Sequence, residues 1–170
     1  MRGKAAIPIR PASAEPQFRP TIRSTPRAFI CRGEKLLVQE KQHPVKGRYF
    51  TLPGGKQEAG ETLEDALRRE CWEEFGAAVT VKQLLHVAEV FRPKSGTNDY
   101  QHQLDFVFNC SVPEGYEPVL GCSPDPHQIA TCWITPENAQ QLRPSYVTKL
   151  FSHGCRRDVE IYLGSHNEEQ

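Results

Sequence analysis

The stretch GGKQEAGETLEDALRRECWEEFGA at residues 54–77 constrains this chain more tightly than any other. Thr62 stands where a helix N-cap accepts a backbone N–H, with Asp65 three residues on, and Gly76 stands where a left-handed residue closes a helix. These limits predict about four turns. At about 100° per residue, Leu63, Leu67, Glu70 and Glu74 fall on one stripe, with Ala66 and Glu73 on its flank. The stripe begins apolar and ends anionic. A helix that docks by its leucines therefore carries Glu70 and Glu74 toward the protein body, where unpaired carboxylates are costly and repel one another. Arg69 can pair with Glu73 four residues on, but one guanidinium does not neutralise three carboxylates. A divalent cation can, and hard oxygen donors suit Mg²⁺ or Mn²⁺. Because Mg²⁺ usually keeps waters that phosphates displace, the segment points to phosphate chemistry.

Around this helix the pattern is mostly extended. PRAFICRGEKLLVQEKQ reads as a hairpin, with strands near Ala28–Cys31 and Lys35–Glu40 and a turn at Arg32, Gly33 and Glu34. A short strand is expected at Tyr49–Leu52, followed by a Pro-Gly-Gly break that lets backbone atoms approach a ligand closely. AVTVKQLLHVAEVF and HQLDFVFNCSV read as strands, RPKSGTNDY and PEGYEPVLGCSPDPHQ as surface loops, and TCWITPENAQQLRP as a final strand feeding a short helix. The order implies an α/β (α+β) fold with a mixed β-sheet sandwiched between α-helices. The expected divisions are a flexible N-terminal arm at 1–20, one domain at 21–165 and a C-terminal tail at 166–170.

Composition narrows the partner. Lys plus Arg and Asp plus Glu each number 21, so no global field gathers nucleic acid or an anionic membrane. Apolar runs fall well short of the roughly 20 residues that cross a bilayer. The proline-rich start lacks the apolar run of a secretory signal, and six cysteines without a C-x-x-C pair read as reduced thiols of a cytoplasmic protein.

Gly55, Glu61, Arg69, Glu70, Glu73, Glu74 and Gly76 together fit G-x5-E-x7-R-E-U-x-E-E-x-G-U, a coincidence on the order of 10⁻⁸ per register at average residue usage. The stretch resembles the Nudix box of the Nudix hydrolase family. Cys71 and Ala77 stand where the family usually has larger aliphatic residues. With RYFTLPGG before the box and CWI after it, the resemblance covers about residues 25–150. It implies the Nudix fold and hydrolysis of a nucleoside diphosphate linked to another moiety, with Mg²⁺ or Mn²⁺ as cofactor.

Carried over by position, the resemblance makes Glu70 and Glu74 the main metal ligands and Glu73 a ligand or proton acceptor. The carbonyl of Gly54 completes the set, and Arg69 and Glu61 orient the carboxylates. Outside the box, Asp105 is a candidate metal or substrate contact, with Gln103 on its face of the strand and His102 and Leu104 on the other. Glu89 is a candidate substrate contact, and Arg27, Lys46 and Arg48 flank the expected mouth and are candidates to receive phosphate. Similarity of YFTLPGG, HQLDFVFNC and PDPHQIATCWI to ADP-ribose pyrophosphatase-like members favours ADP-ribose or an NDP-sugar, and relatives of that type imply a homodimer. A house-cleaning triphosphate pyrophosphohydrolase, an RNA-end pyrophosphohydrolase and a non-catalytic nucleotide sensor remain open readings.

Overall fold

The computed structural model describes residues 17–18, 21–94, 97–152 and 160–168. Strand β2 (Arg23–Arg32) turns through Gly33, at φ +61°, into β3 (Lys35–His43), and β4 (Gly47–Thr51) follows antiparallel to β3. Helix α1 (Leu63–Phe75) leads to the long hairpin of β5 (Thr80–Pro93) and β6 (Asp99–Ser111). Strand β7 (Gln128–Ile134) returns beside β3, and a 3₁₀ turn (Pro136–Gln141), β8 (Leu142–Arg143) and α2 (Ser145–Ser152) complete the other side. The sheet runs β8-β4-β3-β2-β6-β5-β9, where β9 is Tyr162–Asn167, with β7 also on β3 and a two-residue β1 (Gln17–Phe18) on β6. It is mixed, because β2 and β6 are parallel while β5 and β6 are antiparallel.

Period-two alternation of β2 builds a core on each face. Ala28 and Ile30 face α1, where they meet Leu67, Cys71 and Phe75; Phe29 faces α2, in the cluster with Tyr146, Val147, Leu150 and Phe151. Continuous apolar runs such as FI and LLV are therefore the mark of strands covered on both sides. Among the described residues no helix is long and apolar enough to cross a membrane.

Several expectations need correcting. RPKSGTNDY is strand at both ends, drawn together by the Lys94 N–H donating to the Asp99 carbonyl at 3.0 Å. Strand β9 was not expected: YLGSHN has no apolar alternation, and it is held by parallel backbone pairing to the edge of β5. The expected tail thus begins inside a strand, and Gln17–Phe18 of the expected arm pair with Asp99–Tyr100; residues 1–16 and 19–20 lie outside the described residues. Cys31 is disulfide-bonded, which overturns six reduced thiols, while Cys71, Cys110, Cys122 and Cys132 are free.

Phe75, fully buried where α1 meets the sheet, is expected to cost about 3–5 kcal/mol on change to alanine. Urea unfolding of Phe75→Ala checks this, and a loss below about 1 kcal/mol would mean the helix is not seated as described.

Candidate active site

Helix α1 is fixed at both ends. Thr62 Oγ1 accepts from the Asp65 N–H at 3.1 Å, and Gly76, at φ +63°, donates to the Trp72 carbonyl at 3.0 Å. The last carbonyls, which a helix leaves without intrahelical donors, are met by the 113–128 loop. Ser123 N–H donates to Glu73 O at 2.8 Å, Gly121 N–H and Gln128 Nε2 to Glu74 O at 2.9 and 3.0 Å, and Tyr116 hydroxyl to Phe75 O at 2.8 Å.

Facing the helix is the loop after β4. A Cβ at Gly54 would lie 2.2 Å from the Pro26 carbonyl oxygen, and one at Gly55 would come within 2.4 Å of the Glu70 carboxyl carbon. Only glycine lets this loop sit so close to β2 and to the helix carboxylates.

Arg69 organises the exposed side of the site. Its Nε and Nη2 donate to both oxygens of Glu61 at 2.7 and 3.0 Å, and Nη1 reaches Glu70 at 3.0 Å and Glu73 at 3.2 Å. Nη2 also donates to the Lys56 carbonyl at 3.1 Å, which ties the loop to the helix. The fork of charge-assisted bonds from Arg69, helped by the Glu58 N–H, holds the Glu61 carboxyl down at about 2. Arg69 itself is held above its usual value, with Glu61 the main cause.

Glu74 is different in kind. Only 6% of it is exposed, and its Oε2 accepts from the Gly54 N–H at 3.2 Å and from the side-chain amide of Gln39. Thr51 Oγ1 donates to Gln39 Oε1 at 3.1 Å, which turns the amide nitrogen toward the carboxylate. Burial pushes the Glu74 pKa from its usual 4.5 to about 7, against the pull of Lys41 and with the help of Glu70.

A cleft opens nearby, lined in part by Thr51, which is linked to Glu74 through Gln39. Arg27, Lys46 and Arg48 line it, together with Lys41. Arg27 is buried and also structural: its Nη1 donates to Gly54 O at 2.6 Å and Leu52 O at 3.4 Å, and its Nε lies 3.6 Å from Asp105. Burial opposes its charge, but Asp105, Tyr146, Glu74 and Glu168 together outweigh this and the guanidinium is held above its usual value. Arg48 pairs with Glu40 at 2.6 Å. Lys41 is pulled below its usual value by burial, against Asp125 at 3.1 Å.

Two candidates stand elsewhere. Asp105 is fully buried behind Arg27 and accepts from Tyr146 hydroxyl at 2.7 Å and Gln103 Nε2 at 2.5 Å, so its oxygens serve the core rather than the cleft. Glu89 lies on the opposite face of β5 from Ala88, the cross-strand partner of Asp105, and binds His102 at 3.2 Å and Tyr162 hydroxyl at 3.1 Å. Gln39 and Lys41 were missed. Their signal is period two along LLVQEK, which puts them on the face that Leu37 presents to α1.

Among the described residues no three acidic, histidine or cysteine side chains converge closely enough to hold an ion, because Arg69 draws Glu70 and Glu73 outward while Gly54 and Gln39 hold Glu74 inward. The donor set nevertheless fits a hard cation. Glu70, Glu73, Glu74 and the Gly54 carbonyl are all oxygen ligands, and the missing side chain of Gly55 lets the Glu70 carboxylate lie against the loop.

Comparison with known proteins agrees with this geometry. The NUDIX domain model matches residues 22–150, and the chain belongs to the Nudix family. An ADP-ribose pyrophosphatase of Methanocaldococcus jannaschii is 52% identical over 52 residues, 31% of this chain and 30% of that protein. A MutT-like protein of Streptomyces ambofaciens is 29% identical over 120 residues, covering 69% of this chain and 70% of that protein. A solved NUDIX hydrolase from Nitrosomonas europaea superposes with a TM-score of 0.63 at 22% identity, covering 81% of this chain and 92% of that one, which shows the fold. The match spans under a third of the length of the archaeal pyrophosphatase, and 27% of a Caenorhabditis elegans relative.

The buried carboxylate sets a pH dependence. Since the folded pKa of Glu74 lies above its usual value, its stabilising contribution is fully present below pH 4.5 and is lost as pH rises through about 7. Metal-free protein in EDTA should lose on the order of 3 kcal/mol between those limits from this group. Glu74→Gln should flatten that slope in urea unfolding, and an unchanged slope would remove Glu74 as its source.

Proposed function

We propose that this protein is a pyrophosphohydrolase that uses Mg²⁺ or Mn²⁺ to cleave the anhydride of a nucleoside diphosphate linked to another moiety, of the ADP-ribose or NDP-sugar type. The observation that carries the reading is a helix that brings Glu70, Glu73 and Glu74 against the glycine loop, whose Gly54 carbonyl is tied by Arg27 to a cationic cleft.

Glu70, Glu73, Glu74 and the Gly54 carbonyl would hold the cation, which when bound would neutralise diphosphate oxygens and acidify an attacking water. Arg69 and Glu61 keep Glu70 and Glu73 from swinging free, and Arg27 and Lys41 present positive charge to the phosphates. Glu73 is the most exposed of the three carboxylates and is the one placed to take a proton from water. The 52-residue similarity to the archaeal ADP-ribose pyrophosphatase supports the substrate class.

The test is incubation with Mg²⁺ and ADP-ribose, NDP-sugars, dinucleoside polyphosphates and ordinary or oxidised NTPs, with products identified by mass. A nucleoside monophosphate plus a sugar phosphate is expected; pyrophosphate from an NTP would overturn the substrate class. Glu70→Gln and Glu74→Gln should each lower kcat by about 100-fold or more with the fold retained. Near wild-type rates at saturating Mg²⁺ would remove these carboxylates from the metal site.

A further inference from the structure

The cleft holds more positive charge than a metal-bridged diphosphate needs. Its inner wall is Arg27 and Lys41, each already tied to a protein carboxylate. The outer wall is Lys46 from the β3–β4 turn, Arg48 from β4, Arg92 from the end of β5 and Arg143 from β8. Six cations thus face one lining carboxylate, Glu168.

The outer cations are poorly satisfied by the protein. Arg143 Nη1 donates only to the backbone carbonyls of Gln140 and Leu142, at 3.0 and 2.9 Å, and among the described residues it has no carboxylate partner. Lys46 has none there either. Arg92 pairs with Glu168 at 2.9 Å, and among the described residues its buried Nε has no acceptor. Clustered like charges repel, so four outer cations that face a single lining carboxylate are stabilised by an incoming anion.

We infer that the outer wall, centred on Arg143, Arg92 and Lys46, is an anion subsite for a phosphate carried by the substrate in addition to its scissile diphosphate. The substrate class is then a nucleoside diphosphate derivative bearing a further phosphate monoester. Arginine forks suit a phosphate better than a neutral sugar hydroxyl, and the wall is separate from the α1 carboxylates that would hold the cation. Glu168 occupies Arg92 in the structure and shares or yields that guanidinium when the phosphate arrives.

This inference rests on the anhydride-hydrolysis reading, and the experiment separates the two. The full chain and an Arg143→Gln/Lys46→Gln variant are titrated calorimetrically with inorganic tripolyphosphate in EDTA, where no metal contributes. In parallel, kcat/KM is compared for ADP-ribose and for ADP-ribose bearing a phosphate at the 2′ or the 1″ position. Tripolyphosphate binding should weaken by about tenfold in the variant, the loss of roughly 1.4 kcal/mol. One phosphorylated compound should be preferred over ADP-ribose by the wild type, and that preference should fall at least about tenfold in the variant while its melting temperature holds. Equal tripolyphosphate affinity in both proteins, or an unchanged preference, overturns the subsite. No turnover of any compound, with variant-sensitive tripolyphosphate binding, overturns the hydrolytic reading and supports the subsite.

Discussion

Glu74 is the point at which helix, sheet and glycine loop meet. Its carboxylate is held from the loop by Gly54 and from β3 by Gln39, and its backbone carbonyl is held by Gly121 and Gln128. A buried charge with these neutral donors and with no direct cation contact is an unfavourable arrangement by itself. It is tolerated because the same helix buries Leu67, Cys71 and Phe75 against the sheet, and that apolar seat drives Glu74 inward whether or not the carboxylate gains. The site is thus set by packing, and a bound cation would relieve it.

Arg69 solves a complementary problem on the outer side. Neighbouring acidic groups repel, and one planar guanidinium with several donors can hold Glu61, Glu70 and Glu73 at once in a way an ammonium could not. Arg27 does the same from beneath, spanning Asp105 and the Gly54 carbonyl, and Tyr146 on α2 reaches the same aspartate. The loop carbonyl is therefore coupled through two side chains to the helix on the far face of the sheet.

The box and the two-sided sheet were legible in the sequence because both are local patterns. Thr62 and Gly76 bound the helix, its stripe turns from leucine to glutamate, and FI and LLV mark strands covered on both faces. What escaped was non-local. Strand β9 joins by backbone bonds that any residues can make, and Arg92 and Arg143 meet in one cleft although they lie on strands far apart in the chain. Asp105 had the right type of side chain on a plausible strand, but its direction depended on where Arg27 and Tyr146 would come to rest.

The loop that caps α1 has a consequence for motion. A helix of 13 residues would ordinarily fray first at its ends, yet here the C-terminal carbonyls are taken up by Gly121, Ser123, Gln128 and Tyr116. The softer end is then the first turn, whose side-chain pairs among Glu64, Asp65 and Arg68 are exposed to water. Local opening is biased away from the carboxylates, so the geometry of the last turn can persist through fluctuations that loosen the helix start, and slow amide exchange would concentrate at its carboxyl end.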